Sequence, residues 1–194
     1  DTLSVYTVFT VTLSIFMPDI EEVIILVDKS NKIIGDIPRR LMNFGKDYHR
    51  VTYILVFNTK GNLLVQKRTD DKAFCPGYFG VSTGGVVEKG ESYIDSAHRE
   101  LQEELGFDAP LESQGVFLTE GEGFKIWGKI FTCHYDEKAH GALTLQPKEV
   151  ASVHEMSIDS ILKNPDNLLF TPDSLSALQH YADQLTQPQP DDPL

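Results

Sequence analysis

An α/β domain is what this sequence predicts, on three observations. Short apolar runs of strand character recur along the chain, one strongly capped helix interrupts them, and a second amphipathic helix follows them. EEVIILVDKSNKIIG reads as strand, turn, strand, with Asp28 to Lys32 as the turn. Asp36-Ile37-Pro38 begins a short helix that ends near Asn43. Val51 to Phe57 and Asn62 to Lys67 form a hairpin around Asn58-Thr59-Lys60-Gly61. The central helix runs between Ser92, which makes a capping box with Asp95, and Gly106, which suits a left-handed stop. Ile94, Ala97, Leu101 and Leu105 give it a stripe able to dock on a core. Gln114 to Thr119, Lys125 to Tyr135 and Val150 to Met156 are strands. Ser157-Ile158-Asp159 starts a short helix, and Pro172 to Leu185 forms the last one, with Leu175, Leu178, Tyr181, Ala182 and Leu185 on one side.

Composition sets outer limits. The 194 residues, 41% of them apolar, suffice for one domain with a core that needs no staples. A formal charge of −12 argues against general nucleic-acid binding and against an anionic membrane surface. Cys75 and Cys133 lie far apart without ligand spacing, and read as reduced thiols in a cytoplasmic protein. Leu3, Val5, Thr7, Phe9, Val11, Leu13 and Ile15 alternate at a strand's period, with no basic leader before them. Residues 1–21 are expected to be an extension, with Met17 as the physiological start. If genuine, the segment is suited to adding to a sheet edge or a partner chain. Residues 22–186 are the expected domain, and the tail QPQPDDPL at 187–194 has no reason to fold.

The chemistry concentrates in GVVEKGESYIDSAHRELQEELGF, Gly85 to Phe107. Residues three and four apart on a helix share a face, so Glu100, Glu103 and Glu104 fall within an arc of roughly 100°. Such like-charge pairs repel, and Arg99 is spaced to relieve one of them, Glu103. Three carboxylates on the C-terminal half of one short helix call for a divalent cation, and oxygen-only ligands favour Mg²⁺ or Mn²⁺ over zinc. An acidic helix face is otherwise just a solvated surface, but nine specified positions match a single ordered pattern here.

That pattern, Gly85, Glu91, Arg99-Glu100-Leu101, Glu103-Glu104, Gly106 and Phe107, resembles the Nudix box at every position. The resemblance implies an α/β/α sandwich around a mixed sheet, with the box as loop-helix-loop. It implies an enzyme that hydrolyses a small diphosphate-containing molecule, such as a nucleoside diphosphate linked to another group, with Mg²⁺ and water. Glu100, Glu103 and Glu104 would then be metal ligands, Glu91 and Arg99 an ion pair holding the loop, and Gly84-Gly85 backbone near metal or substrate. A general base is needed as well. Glu100 is one candidate, and Glu149, Glu120 and Glu122 are more distal ones. Lys67, Arg68 and Lys72, just before the box, are the candidates for substrate phosphates. Trp127 and Phe124 lie on a strand where core packing is the default.

The segment HRVTYILVFNTKGNLLVQKRTDDKAFCPGYFG resembles isopentenyl diphosphate isomerases and their bacterial hydrolase-like relatives of the YfcD type, and so does the late FTPDSLSAL. In true isomerases a catalytic cysteine and a metal-binding histidine occupy the places that Gly84 and Val86 hold here, so isomerase activity is disfavoured. His49 matches a further isomerase metal histidine, with Glu120 and Glu122 near its acidic partners. A plain surface histidine is the preferred reading of His49. A homodimer is compatible with the resemblance. The competing class is a non-catalytic Nudix-fold sensor that binds a diphosphate, which the full set of box glutamates argues against.

Overall fold

In the computed structural model, which describes residues 21–163 and 169–186, the layering follows from alternation along one long strand. β3 (Tyr48–Asn58) sends Val51, Tyr53 and Leu55 into one core cluster and Ile54 and Val56 into another. Both faces are therefore covered, which is why the run is almost continuously apolar. Helix α1 (Tyr93–Leu105) covers the second face through Ala97, Leu101 and Leu105. Helices α3 (Ile158–Lys163) and α4 (Pro172–Thr186) cover the first through Ile161, Ala177 and Leu178. The result is an α/β/α sandwich.

The sheet is mixed. β1 (Val23–Val27) pairs antiparallel with β2 (Ile33–Pro38) and with the start of β3. On its other side β3 runs parallel to β7 (Phe124–Tyr135) from His49↔Ile126 to Asn58↔Tyr135, and β6 (Glu112–Gly121) pairs antiparallel with β7. β4 (Leu63–Arg68) leaves the β3 hairpin to pair with β5 (Phe79–Gly80) and β8 (Val150–Met156). Residues 83–89 then act as a further strand. Thr52 and Ile54 N–H donate to Gly85 and Thr83 carbonyls at 2.9 Å, Val87 N–H to Arg50 O at 2.9 Å, and Lys89 N–H to Val23 O at 2.7 Å.

Local chemistry explains the elements. Asp28 Oδ1 accepts from Ser30 and Lys32 N–H and closes the first turn, while Asn58 Oδ1 does the same for Lys60 and Asn62 in the β3–β4 hairpin. Ser92 and Asp95 form the expected capping box, and Gly106 (φ 78°) ends α1 by donating to Gln102 O. α2 (Glu137–His140) is a single turn capped by Asp136.

Two expectations need correction. The helix expected from Asp36 to Asn43 is a strand through Pro38, followed by one 3₁₀ turn, Arg39–Leu41. Pro38 starts that turn, and residues 36 and 37 are paired with Ile25 and Ile24 instead. In α1 the apolar stripe is narrower than expected, because Ile94 is 37% exposed. Both cysteines are free, Cys133 buried and Cys75 partly exposed. Among the described residues, no helix is long and apolar enough to cross a membrane. The expected strand over residues 3–15, the Met17 start and the 187–194 tail lie outside the described residues.

The two ends of the expected stripe separate in a stability measurement. Leu101→Ala removes a side chain with no exposure and should destabilise the fold by about 3 kcal/mol in urea titration, whereas Ile94→Ala should lose under about 1 kcal/mol.

Candidate active site

Strand 83–89 runs antiparallel beside β3 where the box begins, and the close approach of the two backbones needs glycine at position 84. A Cβ on Gly84 would sit 2.1 Å from Thr52 O, and one on Gly85 would sit 2.0 Å from Glu100 Oε1. No side chain, thiol included, fits at position 84 on this backbone, which leaves isomerase chemistry without its cysteine. The glycines open onto a cleft of about 730 Å³ whose floor is β3 and whose one end is α1.

The carboxylates of α1 do not share one environment. Glu103 is half exposed, while the Glu100 side chain is 12% exposed and Glu104 is 7% exposed. Glu104 Oε2 accepts 2.6 Å hydrogen bonds from Gln66 Nε2 and from Thr83 Oγ1. Burial nonetheless pushes the Glu104 carboxyl above its usual range. Burial, and then the neighbouring Glu104, raise Glu100 to about 8 against the opposing pull of Arg99.

Arg99 does more than helical spacing allows it. Its guanidinium donates to Glu91 at 2.7 and 3.1 Å, to Glu100 Oε1 at 2.9 Å and to Glu103 Oε2 at 3.3 Å. Helical spacing gave it Glu103 and the box resemblance gave it Glu91; the contact with Glu100 is additional. Burial acts to raise Glu91, but Arg99 and the Glu88 N–H outweigh it and hold the carboxyl below its usual range.

As it stands, no group of three acid, imidazole or thiol side chains converges to hold a metal among the described residues. Arg99 takes up Glu103 and part of Glu100, and Glu104 is turned to Gln66 and Thr83. The donor chemistry still fits a hard divalent cation. Two desolvated carboxylates lie side by side beside a backbone cradle with no Cβ, all donors are oxygen, and a cation between them would favour the charged form of both.

Of the other expected residues, Arg68, Lys72, Glu149, Gly84 and Gly85 line the cleft, and Lys67, Glu120 and Glu122 do not. Lys67 pairs with Phe79 and Ser152 in the β4 ladder, and Glu120 accepts a hydrogen bond from Tyr48 Oη. Arg68 donates to Phe74 O at 3.0 and 3.2 Å, fixing the loop that roofs the cleft. Lys72 and Glu149 form an ion pair with both side chains largely buried. Phe124 is buried and lines the cleft, whereas Trp127 packs beside Ile25, Val27 and Val87, as expected of a core residue.

His49 is corrected. It is 2% exposed rather than a surface group, lies edge-on to Phe44 at 5.1 Å, and faces the cleft opposite the box. Burial lowers its pKa to about 4, so it is neutral at pH 7. Sequence reasoning also missed Arg39, Lys148, Gln66, Thr83 and Asp173. Gln66, a polar residue inside the apolar run LLVQ, was the one legible signal.

Residues 47–177 match the NUDIX domain family. The chain is 42% identical over 154 residues to an uncharacterised Nudix hydrolase of Yersinia pestis, covering 79% of this chain and 81% of the relative. It is 38% identical over 154 residues to the uncharacterised Nudix hydrolase YfcD of Escherichia coli K12, covering 79% and 82%. The crystal structure of DR0079 from Deinococcus radiodurans superposes with a TM-score of 0.70 at 19% identity, over 81% of this chain and 98% of that one.

The buried neutral imidazole makes a pH prediction. His49 has a lower pKa folded than unfolded (about 4 against 6.5), so its contribution to stability is complete above pH 6.5 and is lost as pH falls toward 4. Chemical denaturation from pH 7 to pH 4 should show His49→Gln losing less stability over that interval than wild type, by about 2–3 kcal/mol.

Proposed function

This chain belongs to the Nudix family and is a hydrolase of phosphorus-containing acid anhydrides, and on that premise we propose that residues 22–186 form a Mg²⁺- or Mn²⁺-dependent hydrolase of a small organic diphosphate. A nucleoside diphosphate linked to a second group is the preferred substrate. The observation that carries this is the charge of the cleft. Eight carboxylates line it against five basic side chains, so it repels a polyanion unless divalent cations stand between them.

Glu100 and Glu104 would hold the cation, with Glu103 joining from the exposed side once Arg99 releases it. The bound metal would polarise phosphorus and lower the pKa of water for in-line attack. Everything else falls to the chain. Gln66 and Thr83 orient the Glu104 carboxylate, and Arg99 with Glu91 holds the box loop against α1. Lys72, Arg68 and Lys148 face substrate phosphates across the cleft. Arg68 also sets the roof loop through Phe74 O, so its removal would disturb the position of that loop.

The base has two candidates on the cleft, Glu100 and Glu149. Both are paired as they stand, Glu149 with Lys72 and Glu100 with Arg99, and Glu149 is the one freed when Lys72 turns to a substrate phosphate, while Glu100 would hold the cation. Glu120 and Glu122, outside the cleft lining, are not proposed.

The test is phosphate release from nucleotide sugars, dinucleoside polyphosphates, nucleoside di- and triphosphates and prenyl diphosphates, with and without Mg²⁺ or Mn²⁺. Glu104→Gln should lower the metal-dependent kcat at least about 100-fold while the urea midpoint holds or rises, because a buried charge is removed. Metal-independent turnover, or full turnover by Glu104→Gln, would overturn the assignment.

A further inference from the structure

Asp173, in the first turn of α4, also lines the cleft. Its Oδ2 accepts a 3.0 Å hydrogen bond from Tyr53 Oη, and Tyr53 is 2% exposed in the core. The other oxygen, Oδ1, is shielded from bulk water and has no hydrogen-bond partner. A helix start favours negative charge, which accounts for an acid at this position but not for leaving one of its oxygens unpaired. An unpaired buried acceptor on a charged group is among the more expensive features a fold carries, and Tyr53 holds this one in place instead of letting it turn to solvent. The cleft also holds Phe44, Phe74, Phe124, His49, Arg39 and Arg68, and Phe74 and Arg68 share a second, smaller cavity with Asp173. Phe74 and Phe124 stand edge-to-face at 6.2 Å and supply aromatic surface, and among the described residues Tyr53 is the donor that bonds Asp173.

We propose that Asp173 is a specificity-determining residue: it receives a hydrogen bond from an N–H or O–H donor on the non-phosphate part of the substrate, and so selects donor-bearing groups over hydrocarbon ones. This rests on the cleft being the diphosphate site described above. A bound hydrocarbon tail would seal the carboxylate into an apolar pocket with its oxygen still unpaired, whereas a heteroaromatic base or a sugar supplies the missing donor and, for the base, a face for the phenylalanines. Sites built around a polar group reject analogues that lack its partner far more strongly than apolar pockets reject small size changes. A small cavity of about 60 Å³, lined by Asp173 itself with Gln66, Arg68, Thr83 and Ser174, offers the alternative source of a donor, an internal water.

Calorimetric titration with Mg²⁺ separates these, using two non-hydrolysable probes, the α,β-methylene analogues of ADP and of isopentenyl diphosphate. Wild type should bind the ADP analogue at least about 30-fold more tightly than the isoprenoid one. Asp173→Asn keeps the shape and the Tyr53 bond but presents an amide donor where the acceptor stood. It should weaken the ADP analogue about tenfold or more and leave the isoprenoid analogue within about twofold. Asp173→Leu should bring the two affinities together, with a urea titration confirming that it folds. Analogues lacking the adenine amino group, or the ribose hydroxyls, identify which donor is used by which of them loses its sensitivity to Asp173→Asn. Equal effects of Asp173→Asn on both probes, or none on either, would overturn the inference and assign Oδ1 to an internal water. A wild type that binds neither probe overturns the diphosphate reading of the cleft as well. Equal wild-type affinities overturn this inference alone.

Discussion

One guanidinium makes the acidic helix tenable. Arg99 reaches Glu91 in the loop before α1, Glu100 beside it and Glu103 one turn on, and donates to Val86 O at 3.4 Å. A lysine has a point charge and cannot span these positions at once, whereas the planar fork does so in one rotamer. Its side chain is 26% exposed, so water screens the pairs only in part and their attraction is stronger than that of a surface bridge. The two carboxylates it touches most closely nevertheless move in opposite directions. Glu91 has a backbone donor in Glu88 N–H and is held low, while Glu100 faces burial and Glu104 and is pushed up. Proximity to one cation therefore does not offset the burial of Glu100.

What was legible in the sequence was local. Ser92, Asp95 and Gly106 set the ends of α1 by contacts within four residues, and the structure reproduces both ends. The β3–β4 hairpin and the strand Val150–Met156 were equally plain, because apolar runs bounded by turn residues need no distant partner to be recognised. The segment 81–89 carried no such signal. VSTGGVVEK lacks alternation, and its strand character comes only from hydrogen bonds to β3 and β1. The misread helix at 36–43 has a related cause, since pairing with β1 overrode a local start signal at Pro38.

The site was legible in its residue types more than in its geometry. Spacing put Glu100, Glu103 and Glu104 on one arc, yet packing splits them into two buried groups and one exposed group. Spacing also gave Arg99 one partner, because i,i+4 rules see neither an adjacent residue nor one outside the helix. Glu120 and Glu122 looked plausible by number alone. Tyr48, across the sheet, takes up Glu120 instead. Asp173 was invisible as a functional group, because its environment is made by Tyr53, 120 positions earlier.

The box loop and α4 are joined through adjacent residues of β3. Thr52 and Tyr53 point to opposite faces, as strand neighbours must. Thr52 Oγ1 donates to Gly85 O at 3.3 Å on the box side, and Tyr53 Oη donates to Asp173 on the α4 side. β3 is also clamped on both edges, by β7 in parallel register and by residues 83–87. A shift of β3 by one residue would exchange the two faces and separate both anchors from their partners at once. The box loop and Asp173 are therefore both tied to the register of β3. One strand thus holds the glycine cradle beside the box glutamates and the tyrosine that orients Asp173.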